Sequence, residues 1–357
     1  MSHTRLVHDP DGLNTGVWPD IQPGGTITPL TRFFTRSHAA VPALDPRSWR
    51  LEVGGLVRQQ RSFTLGELVE EFPERRVTAT LVCAGMRRSE FLSLGPLPGE
   101  LPWGPECAST GEWSGVALAD VLQAVGIDES VRHVEFTGLD RVERQGHHFG
   151  FGGSIDLAKA LGGGVLLATR LNGTPLPPAH GFPVRALVPG WIGARSVKWL
   201  GRITLSRHSS QNYFQAKAYR VQREVDPDDP RNVTAGIPMR GVPVNSVIAS
   251  PLADTTVPAG SLRLRGWAIG GEGAAIQAVE VRAGLDAPWS RATLLGDAAN
   301  WVWSFWEAEL TLPRGKHLLM VRAMDTAGNT QPAEPRETWN VKGYGNNAWH
   351  RVAVEAV

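Results

Sequence analysis

Glycine and proline punctuate most of this chain closely: 40 glycines and 26 prolines fall among its 357 residues. Glycine costs conformational entropy inside helices and strands, and proline removes a backbone donor, so long regular elements are disfavoured and short strands joined by ordered loops are expected. Helical periodicity is confined to brief segments at 65–72 (LGELVEEF), 118–125 (LADVLQAV) and 155–161. Runs rich in valine, leucine, isoleucine and threonine at 79–83, 131–136, 165–169, 184–188 and 196–205 are bounded by turn residues, as strands require. That interleaving predicts an α+β domain. Beyond 245 the pattern changes to period two, in 262–269 (LRLRGWAI), 276–283 (IQAVEVRA), 301–312 (WVWSFWEAELTL) and 316–324 (KHLLMVRAM), which predicts an antiparallel β-sandwich. A polar, proline-bearing connector at 220–250 separates the two patterns, and the length suits two domains, 1–244 and 245–357.

A net charge of +1 gives no bulk electrostatic footprint for nucleic acid. The first thirty residues contain charges, prolines and glycines but no apolar leader core, and no span long enough for a membrane occurs elsewhere. A cytoplasmic address is therefore expected. Two cysteines, Cys83 and Cys107, allow at most one disulfide and do not describe a disulfide-stapled scaffold.

Cys83 ends an apolar run and is followed by Ala84, Gly85, Met86, Arg87 and Arg88. Adjacent guanidinium groups favour the thiolate, and glycine lets a backbone or cofactor approach closely. A thiolate there suits either a covalent nucleophile paired with His38, His133 or His180, or a ligand to a soft metal, while a merely buried thiol is the bland alternative. No CxxC or HExxH spacing exists, so a zinc site built only from protein ligands is disfavoured and a metal on one cysteine would need a cofactor's ligands. His147-His148 reads as a solvated pair, Gly162-Gly163-Gly164 as a helix end, and Cys107 as a dispensable loop residue. In 177–198, His180, Arg185, Arg195 and Lys198 lie in an otherwise apolar segment, and buried cations want anionic partners.

The segments 33–38 (FFTRSH), 83–90 (CAGMRRSE), 172–174 (NGT) and 180–200 (HGFPVRALVPGWIGARSVKWL) together resemble the sulfite oxidase family of molybdopterin enzymes. The likeness continues through 101–103 (LPW), 112–120, 138–140 and 347–352 (NAWHRV), nearly the whole chain. It implies a molybdenum-molybdopterin cofactor with Cys83 as the protein ligand to the metal, and a C-terminal immunoglobulin-like dimerisation domain forming a homodimer. Carried over by position, Phe34, Thr35, Arg36, Ser37, His38, Asp140, His180, Arg185, Ser196, Val197 and Lys198 would contact the pterin or its phosphate. Arg36, Arg88, Trp103 and Tyr219 would form a pocket for a small anionic substrate, with Tyr213 as the less favoured phenol. The implied reaction is oxidation of sulfite to sulfate, with electrons passed to an external acceptor, oxygen or a cytochrome; the alternatives are the same cofactor acting on another small oxo-compound or sulfane-sulfur substrate, or a catalytically impaired cofactor-binding or interaction protein. Two departures stand out: Met86 where many members carry asparagine, and Ser304 where a further pocket arginine is expected. Ser304 is accordingly expected to weaken anion recognition.

Overall fold

The protein is described by a computed structural model covering residues 5–18, 21, 25–144 and 146–357. Its first part carries two five-strand assemblies. One orders Gly152–Asp156, His133–Gly138, Leu200–Ser206, Arg50–Gly55 and Arg61–Thr64, with a single parallel pairing between Leu200–Ser206 and Arg50–Gly55. The other orders Thr174–Pro175, Leu166–Leu171, Ala108–Ala117 and Glu74–Val82, with Arg185–Leu187 sharing with Thr174–Pro175 the edge of Leu166–Leu171 opposite Ala108–Ala117. The helices are short. Leu65–Glu71 begins with a capping box, in which Thr64 and Glu67 satisfy each other's backbone N–H groups. Leu118–Val125 buries Leu118, Val121, Leu122 and Val125, an i, i+3, i+4, i+7 stripe that packs into the core of the first sheet.

Downstream, Asn245–Ser250, Gly260–Ile269, Ser304–Leu312 and Thr293–Leu294 form one sheet, and Thr255–Val257, His350–Ala356, Gly315–Asp325, Ile276–Ala283 and Ser290–Arg291 form the other. Their inner faces share a core that includes Ile248, Leu264, Val279, Trp306, Leu319 and Val352, as the period-two alternation requires. This α+β-then-β-sandwich order matches the expectation from sequence. Three local readings change. Ile155 and Asp156 belong to the strand Gly152–Asp156, and only Leu157–Leu161 is helical. Residues 196–199 do not join the strand at Leu200, because Trp199 takes φ 50°. Residues 301–303 lead into their strand through Trp301 at φ 66°. Gly163 and Gly164, at φ 82° and 78°, end the helix Leu157–Leu161 as expected.

The sandwich packs directly on the cysteine strand. Thr80 donates its N–H to the Trp301 carbonyl at 2.8 Å, and the Trp303 N–H donates to the Thr80 hydroxyl at 2.9 Å. Trp267, Trp303, Phe305 and Tyr344 share one apolar cluster with Leu81, Cys83 and Phe214. Among the described residues no helix is long and apolar enough to cross a membrane.

Candidate active site

Cys83 follows the strand Glu74–Val82 and enters a tight turn in which its carbonyl accepts from Met86 N–H at 3.1 Å. The turn needs glycine at 85. A Cβ there would lie 2.7 Å from the Arg88 guanidinium carbon, so only glycine lets Arg88 fold back across the turn. Arg87 and Arg88, adjacent in the sequence, then diverge. Arg87, at φ 60°, is fully buried, forks onto both Glu90 oxygens at 2.7 Å and donates to Asn245 Oδ1 and the Ala348 carbonyl of the sandwich. Arg88 spends Nε on the Lys342 carbonyl and one terminal nitrogen on the Leu101 carbonyl, and pairs with Glu100 at 3.2 Å.

The Cys83 thiol is pulled down to about 6, first by the neighbouring Cys107 thiol, whose S–H also has the Gly104 carbonyl at 3.4 Å, and then, against the opposing effect of burial, by Arg36, Arg88 and the Gly85 N–H. Cys107 is therefore no loop residue of no consequence. It is buried, its carbonyl accepts from the Cys83 N–H at 3.0 Å, and its own thiol is pushed up by burial and by Cys83.

Cys83 opens onto a cleft of about 720 Å³ lined by Phe34, Thr35, Arg36, Ser37, His38, Asp140, His180, Arg185, Ser196, Lys198 and Tyr219. Residues nearly two hundred positions apart thus meet at one wall. Lys198 donates to the Ser37 hydroxyl at 2.6 Å and the Ala179 carbonyl at 2.9 Å, and Arg185 donates to the carbonyls of His180 and Ser196. Their partners are neutral oxygens, and burial lowers Lys198 well below the ordinary lysine range and Arg185 to about 9. Two desolvated cations facing a cleft leave charge for an anion to neutralise, as a phosphate tail would. Arg195 differs: it is buried away from the cleft on the carbonyls of Phe214 and Met239, a strut between the helix Tyr213–Ala216 and the connector. Val197 also misses the cleft lining, with its side chain in the core of the first sheet.

Tyr219 lies at the junction between this cleft and a wider mouth lined by Arg36, Arg144, Lys217, Arg231, Lys342 and Glu100. Its hydroxyl is 2.7 Å from His38 Nε2, while Arg36 and Arg144 approach His38 Nδ1 at 3.4 and 3.5 Å. Guanidinium groups only donate, so Nδ1 accepts, Nε2 carries the proton, and the imidazole donates to the phenol oxygen. That leaves the Tyr219 O–H free to donate into the site. Burial pushes the phenol up to about 12, so it keeps that proton. Tyr213 lines only the outer mouth. Trp103 is fully buried against His8, outside the cleft lining, with its indole N–H unpartnered among the described residues. His147 and His148 are exposed on the short strand His147–Phe149.

Ser304 does not face this site. It pairs with Ala268, and strand alternation sends Trp303 and Phe305 toward the first domain while Ser304 and Trp306 turn to the sandwich interior. One of the further cations at the mouth is Lys342, which comes from a loop whose sequence (VKGYG) carries no local sign of its role. Arg144, on the short strand Val142–Arg144, was likewise missed.

His38, His180 and His350 are held neutral. Burial first and neighbouring cations second lower His180 to about 3, His350 to about 4 and His38 well below the ordinary imidazole range. The unfolded chain takes up these protons near pH 6.5 and the folded chain does not, so stability falls as pH drops below that value. Each histidine contributes roughly 1.4 kcal/mol per pH unit until its folded value is reached. Calorimetric Tm should fall steadily from pH 6.5 to 4.5 and less steeply in His350→Asn. A flat profile would mean that these imidazoles are charged in the folded state.

The sequence profile of the oxidoreductase molybdopterin binding domain matches residues 38–214, and that of the Mo-co oxidoreductase dimerisation domain matches 238–357. Sulfite oxidase from Gallus gallus is 39% identical over 91% of this chain and 72% of its own length. The Homo sapiens mitochondrial sulfite oxidase is 38% identical over 94% of this chain and 63% of its own. An inducible nitrate reductase from Glycine max is 35% identical over 94% of this chain but 40% of its own length. The crystal structure of the sulfane dehydrogenase SoxCD from Paracoccus pantotrophus superposes with a TM-score of 0.80 at 25% identity, over 99% of this chain and 88% of that one. The relatives from Rattus norvegicus, Mus musculus, Macaca fascicularis and Homo sapiens are named mitochondrial, which overturns the cytoplasmic expectation. An apolar core marks secretory leaders, whereas mitochondrial targeting segments are amphipathic and lack one. With both domain profiles in order and curated relatives matched along almost all its length, the chain belongs to the sulfite oxidase family of molybdopterin oxidoreductases.

Proposed function

We propose that this molybdopterin-dependent oxidoreductase oxidises sulfite to sulfate at a molybdenum centre and passes the electrons to an external acceptor, oxygen or a cytochrome. The observation that carries the reading is the convergence of Arg36, Lys342 and a proton-donating Tyr219 at the mouth of the cleft that holds the Cys83 thiol. Cations and a phenol O–H suit a small oxyanion better than a neutral or cationic substrate. When bound, the cofactor would supply oxygen-atom transfer and a two-electron redox couple.

The chain's residues have separable parts in this scheme. Cys83 would give its thiolate to the metal, made available near neutral pH by Cys107, Arg36 and Arg88. Lys198, Arg185, Ser37 and the backbone around His180 would hold the anionic end of the pterin, with Asp140, Ser196, Thr35 and Phe34 completing the wall. Arg36 is braced by Asn14 Oδ1, the Ser37 carbonyl and His38, so its charge is presented without loss of side-chain freedom on binding. His38 orients Tyr219, whose O–H donates to an oxygen of the substrate. Trp103 supports the pocket from behind it, and Arg88 lies directly behind Glu100 at the mouth, covered by that carboxylate. We further propose a division into 1–244 and 245–357, with the second part forming a homodimer; a monomer of about 39 kDa by light scattering at micromolar concentration would remove the dimer.

The test is steady-state turnover of molybdenum-verified enzyme with sulfite and an artificial one-electron acceptor, with nitrate as the competing candidate. Sulfite should be oxidised, and Tyr219→Phe should lower kcat/KM by roughly 100-fold at unchanged metal content, as loss of one preorganised donor does. Turnover confined to nitrate, or unchanged kinetics in the variant, would overturn the substrate or the phenol's role respectively.

A further inference from the structure

The segment Leu97-Pro98-Gly99-Glu100 closes a reverse turn in which the Glu100 N–H donates to the Leu97 carbonyl at 3.2 Å and Gly99 takes φ 75°. Proline second and a positive-φ glycine third is the signature of a type II turn, so this geometry is dictated locally. The turn delivers one carboxylate to two cations. Glu100 Oε2 is 3.2 Å from an Arg88 terminal nitrogen, and Oε1 is 3.2 Å from Lys342 Nζ. Gly343 makes the juxtaposition possible, because a Cβ there would meet the Arg88 Cγ at 2.8 Å and Leu97 Cδ1 at 2.7 Å.

Arg88's other polar contacts go to the carbonyls of Lys342 and Leu101, so Glu100 is the anion that its guanidinium faces. The same carboxylate lines the substrate mouth beside Arg36, Tyr219 and Lys342. It is about 15% exposed, as is Lys342, while Arg88 is 5% exposed, so the triad is shielded from bulk solvent and only weakly screened by salt. An oxyanion arriving at Lys342 and Arg88 competes with a group of its own charge and its own acceptor geometry. Both cannot hold the two cations without like-charge repulsion at contact distance.

We propose that Glu100 is a resident competitor: its carboxylate occupies the oxyanion subsite between Arg88 and Lys342 when no substrate is bound, and yields it to a small sulfur oxyanion. The residue thereby sets the KM for that anion and speeds release of the doubly charged product. This rests on the reading of sulfite as substrate, and the consequence is specific: removing the charge tightens anion binding.

Glu100→Gln keeps the size and the acceptor oxygen but loses the charge, and Glu100→Ala loses both. In cofactor-loaded enzyme both variants should lower the KM for sulfite, and the calorimetric Kd for sulfate, by roughly 3- to 30-fold. kcat should hold or fall, and kcat/KM should become more salt-sensitive because the mouth gains one net positive charge. A carboxylate that merely positions the two cations predicts the reverse, a raised KM that Gln spares and Ala does not; that result would overturn the proposal. Sulfate affinity that rises in both variants while wild type fails to oxidise sulfite would uphold the competitor and discard the substrate. Unchanged sulfate affinity with ordinary sulfite turnover would discard the competitor and keep the substrate.

Discussion

Cys83→Ser is expected to yield a folded protein that carries little molybdenum and turns over sulfite more than about 100-fold more slowly than wild type. Loss of outer partners of a metal ligand already costs about 10- to 100-fold, and here the ligand itself changes from a thiolate near neutral pH to a hydroxyl that stays protonated. The fold should survive, because Cys83 ends its strand and its backbone bonds to Cys107 and Met86 do not involve sulfur. Metal analysis and turnover on the same preparation check the prediction, and full metal content with full activity would remove Cys83 from the metal. Cys107→Ala is no neutral control, since its thiol is the foremost influence holding the Cys83 thiolate.

Arg87→Met should lower stability by about 3–5 kcal/mol, the usual cost of stranding the partner of a buried ion pair. Glu90 is half-buried, and although burial pushes its carboxyl up, the charge and paired hydrogen bonds of the fully buried Arg87 hold it below the usual range. Removing the guanidinium also frees Asn245 Oδ1 and the Ala348 carbonyl, both buried where the sandwich meets the cysteine turn. A Tm drop of roughly 6–20 °C is expected, with part recovered by adding Glu90→Leu, which removes the stranded charge. A shift of under about 2 °C would show that the fork contributes nothing to holding the two domains together. The neighbouring Arg88 should behave differently, affecting anion kinetics more than Tm.

Much of this architecture was legible without coordinates. Glycine and proline spacing limited the elements to short strands and helices, and the alternation in 262–269 and 276–283 marked strands that are buried on one face. Local chemistry also marked Cys83, because a thiol followed by glycine and two arginines is unusual whatever the fold, and it marked 180–198 as a cationic stretch lacking acids. The expected cofactor-site residues meet at one cleft except Val197, whose side chain strand and loop parity sends to the core. The readings of Cys83 and of 180–198 rest on chemistry that lies within a few residues along the chain, whereas the cofactor-site set rests on the family resemblance.

What the sequence could not decide were the roles of charges whose partners lie far away. That Arg87 is a rivet, and that Arg88 sits behind Glu100 rather than in the lining of the mouth, depends on Asn245, Ala348 and Lys342, up to 261 positions distant. Ser304 was misplaced because motif position does not reveal strand parity, and a one-residue difference in parity exchanges the cleft side for the sandwich interior. Lys342 and Glu100 are ordinary surface-type residues in the sequence, and only the packing of the 341–345 turn against Arg88 makes them an ion triad. Composition and periodicity follow from local backbone preference and burial, which neighbouring residues encode. A site's electrostatics is a sum over charges that folding brings together, and that sum exists only once the tertiary structure has set the distances.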